Sequence, residues 1–313
     1  MKRIIIDSDA GVDDALAIIL ALKSPELSVE AITTVAGNVE VEKCTRNCLL
    51  LLELLEPKRP PIVAQGADKP LVEDLVTAPG VHGNDGLGNI ASQYSGSRYQ
   101  AVPAEAADVI LDLVRRYPQE LTIVAIGPMT NLAIAVEKEP KVMKNVQEII
   151  AMGGAFRVPG NTGPHAEFNM YVDPEAAQWV LDARLPLTLL PLDVTEQVIL
   201  YRPEVSSLRN RGDWRIGNFI AEMTHGYMRY HEETAGFFGG YLHDPLAIGV
   251  AIRRDFVRCR DLRIAVKAND DSRRGMTVVV PRRSEKKWQP NARVAQWVKR
   301  KEFLDFFRSR VWG

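Results

Sequence analysis

The segment Ile4-Ile5-Ile6 has no polar face, and neither has Ala15-Leu16-Ala17-Ile18-Ile19-Leu20-Ala21-Leu22 shortly after it. A strand that is apolar on both sides must be covered on both sides. A helix that is apolar all round must be buried. A chain that opens this way is confined to layered folds in which helices flank a sheet. The pattern recurs: strands are predicted over residues 3–7, 28–35, 61–64, 121–126, 148–152 and 187–190. Helices are predicted between them over 13–23, 41–55, 104–117, 129–136 and 174–181. This alternation predicts an α/β fold with an open, mostly parallel, doubly wound sheet.

The last third reads differently, with helices over 216–231 and 244–252, a strand pair at 262–266 and 276–281, and a final helix over 302–308. There is no internal repeat, low-complexity tract or linker, so residues 1–313 read as one domain. Segments 66–97 and 153–169 lack periodicity, and aperiodic loops of this length are commonly functional.

Net charge is −1, which excludes a global basic field for nucleic acid or anionic membrane. No apolar run approaches the roughly 20 residues that span a bilayer. No signal-peptide pattern precedes the first strand, and three cysteines do not make a disulfide framework, so the chain is read as cytoplasmic. Cys44 and Cys48 share a helix face; packing in the Leu-rich helix is the reading preferred over a metal or redox pair. The basic run Arg282-Arg283-Ser284-Glu285-Lys286-Lys287 reads as a solvated loop. The Gly-rich stretch Gly83-Asn84-Asp85-Gly86-Leu87-Gly88 neither follows a strand nor opens a helix, and so is not a dinucleotide fingerprint.

Between the first strand and helix lies Asp7-Ser8-Asp9-Ala10-Gly11-Val12-Asp13-Asp14. Four carboxylates at a strand end repel one another unless a cation is present. With no paired Cys or His nearby, the cation expected is hard and oxygen-seeking, Ca²⁺ or Mg²⁺. Helix capping accounts for one Asp or two, and leaves Asp7 and Asp9 unexplained.

This stretch resembles the signature of the inosine-uridine preferring nucleoside hydrolases. Ser8 replaces the family's Thr or Cys and Ala10 its Pro; neither replaced side chain is an expected ligand. Further segments resemble the family in order. They are Ala31-Ile32-Thr33-Thr34-Val35-Ala36-Gly37-Asn38, Val81-His82-Gly83, Gly127-Pro128-Met129-Thr130-Asn131, Met152-Gly153-Gly154, Ala166-Glu167-Phe168-Asn169 and His243-Asp244-Pro245.

The resemblance implies one Ca²⁺ held by Asp9, Asp14 and Asp244 and the backbone carbonyl of Ile126. It implies Asp13 as general base on a water held by that ion, and attack at the anomeric carbon through an oxocarbenium-like transition state. Asn38, Asn161, Glu167 and Asn169 would hold ribose hydroxyls, which need both donor and acceptor. Asp7 would orient the ligand carboxylates. His243 is the expected leaving-group acid, with an ordinary pKa suited to that task, and His82 a candidate base contact. Met152 and Phe168 would line the walls. Tyr227, Tyr230 and His231 are candidates for the base pocket, or for packing.

The implied activity is hydrolysis of ribonucleosides to ribose and free base, by a homo-oligomer, dimer or tetramer, with no nucleic-acid or membrane partner. The His82–His243 pair favours a narrow pyrimidine enzyme for uridine and cytidine; a nicotinamide or modified riboside is a third substrate class. A nucleoside-binding relative without turnover stays open. A phosphatase-like site would need a Lys or Arg for phosphate, and none adjoins these motifs.

Overall fold

The computed structural model describes residues 1–94, 96–207, 213–268, 272–282 and 288–312. The strands are β1 (Lys2–Ser8), β2 (Leu27–Thr34), β3 (Ile62–Gln65), β4 (Leu121–Ala125), β5 (Glu148–Met152), β6 (Leu187–Leu190), β7 (Ile199–Tyr201), β8 (Gly239–Tyr241), β9 (Val257–Leu262), β10 (Ile264–Val266), β11 (Thr277–Val279) and β12 (Ala292–Val298). Eight of them form one sheet in the order β3-β2-β1-β4-β5-β6-β12-β9. All its neighbours run parallel except β9, which is antiparallel to β12.

The apolar strands are covered on both faces, as their composition predicts. Ile4 and Ile6 pack into one core with the helices Val12–Leu22, Val41–Leu55, Trp214–Ala235, His243–Ile252 and Arg300–Val311. Ile5 points the other way, into a core with Ala106–Arg116, Thr130–Lys138 and Pro174–Asp182. This is the two-residue alternation of a strand. Every residue from Val12 to Ala21 is buried, so the first helix is enclosed as its sequence requires. Cys44 and Cys48 lie in the first core. Among the described residues no helix is long and apolar enough to cross a membrane.

Sequence reasoning misses four strands. β9 (Val-Arg-Cys-Arg-Asp-Leu) alternates apolar residues with charges and looks like a surface loop. It is the sheet edge, where charges block pairing with another chain. β12 is interrupted by Arg293 and Gln296, and its partner β6 lies far away in the chain. β7 and β8 are three residues each and pair antiparallel in a small ribbon that leads into the turn before His243. The strand pair expected at 262–266 and 276–281 is present as β10 and β11. The basic run lies outside the described residues apart from Arg282, whose guanidinium sits over the Trp288 ring.

The aperiodic segment 66–97 is held together by Asp85. Its carboxylate accepts the backbone N–H groups of Leu87, Asn89 and Ala91, each at 2.8 Å. The loop contains the short helix Pro79–His82 and the 3₁₀ turn Ala91–Gln93, with no strand-to-helix crossing.

The helix His243–Ile252 packs so closely that Gly249 has no room for a side chain. A Cβ there would stand 2.4 Å from the Phe303 ring. Phe303 is fully buried against Phe256 and cannot yield. Gly249→Ala is expected to destabilise the protein by about 1–3 kcal/mol through overpacking, against a gain of about 1 kcal/mol in helix propensity. Urea unfolding checks this: an unchanged or raised midpoint would show that the two helices can separate at no cost.

Candidate active site

The sheet order reverses between β1 and β4, and in such sheets ligands bind in the crevice at the carboxyl ends of these strands. The acidic turn occupies that place. β1 ends at Ser8 and the helix begins at Val12, with Ala10 at φ +39°, a strained backbone closed to proline.

Asp7 faces into the sheet. Its Oδ1 accepts from Thr33 Oγ1 at 2.5 Å and Asn131 Nδ2 at 2.8 Å, while Oδ2 is buried without a partner. Asp9 Oδ2 accepts the backbone N–H of Asn38 at 2.8 Å, an approach possible because Gly37 has no Cβ, which would fall 2.2 Å from that oxygen. Asp9 Oδ1 is buried and unpaired. Asp14 accepts from Ser8 Oγ at 2.6 Å, the Gly11 N–H at 2.9 Å and Asn38 Nδ2 at 3.1 Å. Ser8 therefore holds Asp14.

Asp244 arrives in the first turn of the helix His243–Ile252. Carboxylate oxygens of Asp13, Asp14 and Asp244 lie within 4.8 Å of one another. Asp9 stands against Asp14 behind them and is not part of that trio. Burial first, then mutual repulsion, pushes the Asp13 carboxyl up to about 8 and holds those of Asp9 and Asp244 well above the usual range. No Lys or Arg among the described residues lines the cavity in front of them. Two helix N-termini supply partial positive charge. An orphaned Asp9 oxygen beside three clustered carboxylates fits a bound cation, and the all-oxygen donor set suits a hard one.

The cavity encloses about 640 Å³. Asp13, Asn38, Ile126 and Asp244 form its floor. Met152, at the end of β5, and Asn161, Glu167, Phe168 and Asn169 from the segment after it line the cavity. Glu167 caps the helix Phe168–Val172, accepting from the N–H groups of Asn169 (2.9 Å) and Met170 (3.3 Å), and from that of Gly154 (3.0 Å). Asn169 Nδ2 donates to the carbonyl of Ile126 at 2.9 Å. Asn161 Oδ1 accepts the Phe168 N–H at 2.9 Å.

Five rings arch over the floor in successive contact: His82–Tyr227 (5.7 Å), Tyr227–His231 (4.5 Å), His231–Tyr241 (4.9 Å) and Tyr241–His243 (5.1 Å between centroids). The arch starts beside Asp13, 3.9 Å from His82 Nδ1, and ends next to Asp244. Tyr230 adjoins His231 at 5.4 Å. His82 Nδ1 accepts the Val12 N–H at 3.1 Å, so its Nε2 carries the proton. His231 Nδ1 donates to the Tyr227 carbonyl at 2.8 Å, so its Nε2 is an acceptor.

His243 differs from the expectation of an ordinary pKa. Burial, with His231 and His82 nearby, pushes it down to about 3, and the ring is neutral. Its Nδ1 lies 2.8 Å from the hydroxyl of the fully buried Thr195. Sequence reasoning misses Thr195, Glu196 and Tyr241, which belong to this end of the cavity. The available signal was position: Thr195 and Glu196 follow β6, and carboxyl ends of parallel strands collect site residues.

The profile of the family described as inosine-uridine preferring nucleoside hydrolase matches residues 4–305. The pyrimidine-specific ribonucleoside hydrolase RihA of Salmonella enteritidis PT4 is 39% identical over 310 residues, 98% of this chain and 97% of the relative. A solved purine-preferring ribonucleoside hydrolase from Gardnerella vaginalis is 34% identical with a TM-score of 0.91, covering 99% of this chain and 98% of its own. The plant nucleoside hydrolase PpNRh1 is 35% identical with a TM-score of 0.92, covering 100% and 99%. With profile, sequence and fold in agreement along nearly the whole length, the chain belongs to the inosine-uridine preferring nucleoside hydrolase family and is an N-glycosidase of that kind.

Proposed function

We propose that the chain hydrolyses the N-glycosidic bond of ribonucleosides to ribose and free base, with Ca²⁺ as cofactor and Asp13 as general base. The observation that supports this most strongly is the meeting, in one cavity, of a buried acid floor, a wall of hydroxyl-pairing groups and an arch of rings. Asp9, Asp14, Asp244 and the Ile126 carbonyl would hold the ion. Bound there, it supplies a positive, oxygen-seeking centre that offsets the repulsion among the acids.

The chain's own residues account for the remaining chemistry. Asp13 takes a proton from the attacking water; the oxygen bonds to the anomeric carbon, and the pair of the broken C–N bond leaves with the base. The acid floor offsets the positive charge that develops on the sugar. Nδ2 of Asn38 and of Asn169 is engaged by Asp14 and Ile126, leaving each amide oxygen to accept from a ribose hydroxyl. Asn161 and Glu167 complete that wall, with Met152 and Phe168 as its apolar parts. Asp7 holds the turn through Thr33 and Asn131. His243, with Nδ1 accepting from Thr195, presents Nε2–H to the departing nitrogen. A neutral imidazole with a stored hydrogen bond suits this better than a free imidazolium in a buried site. The other rings of the arch, with Tyr230, take the base. The 39% identity to RihA favours the narrower pyrimidine reading.

Asp13→Ala is expected to lower kcat by about 10²–10⁴-fold, while calorimetric Ca²⁺ affinity stays within a factor of about two. Because Asp13 lies among the clustered carboxylates, loss of ion binding together with turnover would instead make it a ligand. Ribose release from inosine, adenosine, guanosine, uridine and cytidine, each with Ca²⁺ and with chelator, tests the reaction. Release from at least one substrate, abolished by chelator and restored by Ca²⁺, is expected. Full activity in chelator contradicts the cofactor, and no release from any substrate contradicts the reaction.

A further inference from the structure

Ala10 is the strained point of the acidic turn, and side chains hold both of its backbone polar groups. At φ +39° it lies in the left-handed region, which a residue with a Cβ keeps only where its surroundings over-determine it. Its N–H donates to Ser8 Oγ at 3.0 Å, and its carbonyl accepts from Asn47 Nδ2 at 3.1 Å. Ser8 belongs to the turn itself. Asn47 comes from the helix Val41–Leu55, is fully buried, and shares its helix face with Cys44, Cys48 and Leu51. One turn earlier, Cys44 Sγ donates to the carbonyl of Asp9 at 3.0 Å, so this helix grips two successive carbonyls of the turn.

Asn47 reaches the histidine loop as well. The same Nδ2 donates to the carbonyl of Asp85 at 2.7 Å. Asp85 organises the loop through its side chain, so its carbonyl is a firm point of attachment. Gly86, at φ +83°, lets the loop come this close: a Cβ there would stand 2.8 Å from Asn47 Nδ2 and 3.0 Å from the Ala10 carbonyl oxygen. The bond from the Val12 N–H to His82 Nδ1 joins the same two segments a second time. Packing alone does not account for an asparagine here. Its Oδ1 is buried with no partner among the described residues. An apolar side chain of similar size would fill a face of Cys and Leu without an orphaned oxygen.

We propose that Asn47 is a positioning residue: by holding the Ala10 carbonyl against the histidine loop, it keeps Ala10 in its strained conformation. It thereby sets where Asp9, Asp13 and Asp14 stand relative to one another and to His82. This rests on the reading of the acid floor as a cation site. Ala10 lies between Asp9 and the Asp13–Asp14 pair, so a rotation of its backbone changes their separation. Without the Asn47 amide, Ala10 relaxes toward negative φ. Glycine feels no such pull, because it occupies the left-handed region freely. The effect of losing Asn47 therefore depends on which residue stands at position 10.

The test measures Ca²⁺ dissociation constants by calorimetry on the full chain, for the wild type, Asn47→Leu, Ala10→Gly and the double variant. Hydrogen exchange of segments 8–14 and 82–88 is followed in the wild type and Asn47→Leu without metal, and thermal midpoints confirm folding. Asn47→Leu is expected to weaken Ca²⁺ binding by about 10–100-fold, the usual effect of losing a group that orients metal ligands. It should speed exchange in both segments and leave β4 and β5 as in the wild type. In the Ala10→Gly background the same substitution should cost at least about threefold less affinity. If Asn47→Leu does not fold, Asn47→Ser, whose hydroxyl is too short to reach both carbonyls, takes its place in the cycle. A lowered thermal midpoint with affinity unchanged, or a loss of affinity equal in both backgrounds, overturns the proposal. If the wild type binds no Ca²⁺ but exchange rises in both segments with Asn47→Leu, the ion reading is wrong and the positioning stands. If the wild type binds Ca²⁺ and neither affinity nor exchange responds to Asn47, the ion stands and the positioning falls.

Discussion

Four buried carboxylates converge where the sheet order reverses, and the rest of the site follows from what it takes to hold them there. Asp9 comes from the turn after β1, Asp13 and Asp14 from the first turn of the next helix, and Asp244 from a helix near the other end of the chain. Like charges this close in a dry site cost several kcal/mol each unless compensated. The compensation is built in layers. Backbone N–H groups of Gly11 and Asn38, the Ser8 hydroxyl and two helix N-termini each remove part of the repulsion. What they leave, an unpaired Asp9 oxygen and raised carboxyl pKa values, is the charge that a bound cation would offset.

The tightness of the fold serves that convergence. The buried helix Val12–Leu22 packs against the helix that brings Asp244, in one core on the same face of the sheet, so the two N-termini cannot drift apart. Gly37 lets the backbone after β2 lie directly against Asp9, and Gly249 lets the Asp244 helix settle onto Phe303. Neither glycine touches the cavity. Both set the distances between carboxylates to within the few tenths of an ångström that a Cβ would disturb.

The fold class was legible in the sequence because strands apolar on both faces and helices apolar all round admit few arrangements, and β1 to β6 appear close to where these runs lie. The floor acids were legible because three of them share one short motif. β9 and β12 were not: one carries the charges that protect an edge, and the other joins β6 by a pairing that no local pattern encodes. The base end was the least legible part. Thr195 and Glu196 are single residues with no spacing signature, and the pKa of His243 depends on burial and on the His231 and His82 rings, which come from two other elements.

Once those elements are assembled, the base end acquires a definite hydrogen-bonding character that no residue type reveals alone. Histidine is ambiguous, since either nitrogen can donate. Here the backbone removes the ambiguity at two of the three. The Val12 N–H makes His82 Nδ1 an acceptor, leaving Nε2–H as a donor; the Tyr227 carbonyl makes His231 Nδ1 a donor, leaving Nε2 as an acceptor. Burial keeps both rings neutral, with pKa values near 3 and 4, so the pattern does not change across physiological pH. Were the arch to take the base as proposed, that base would meet one fixed donor and one fixed acceptor. Selectivity among bases would then depend on matching that pattern more than on stacking, because every base offers a face to the tyrosines and only some offer the right edge.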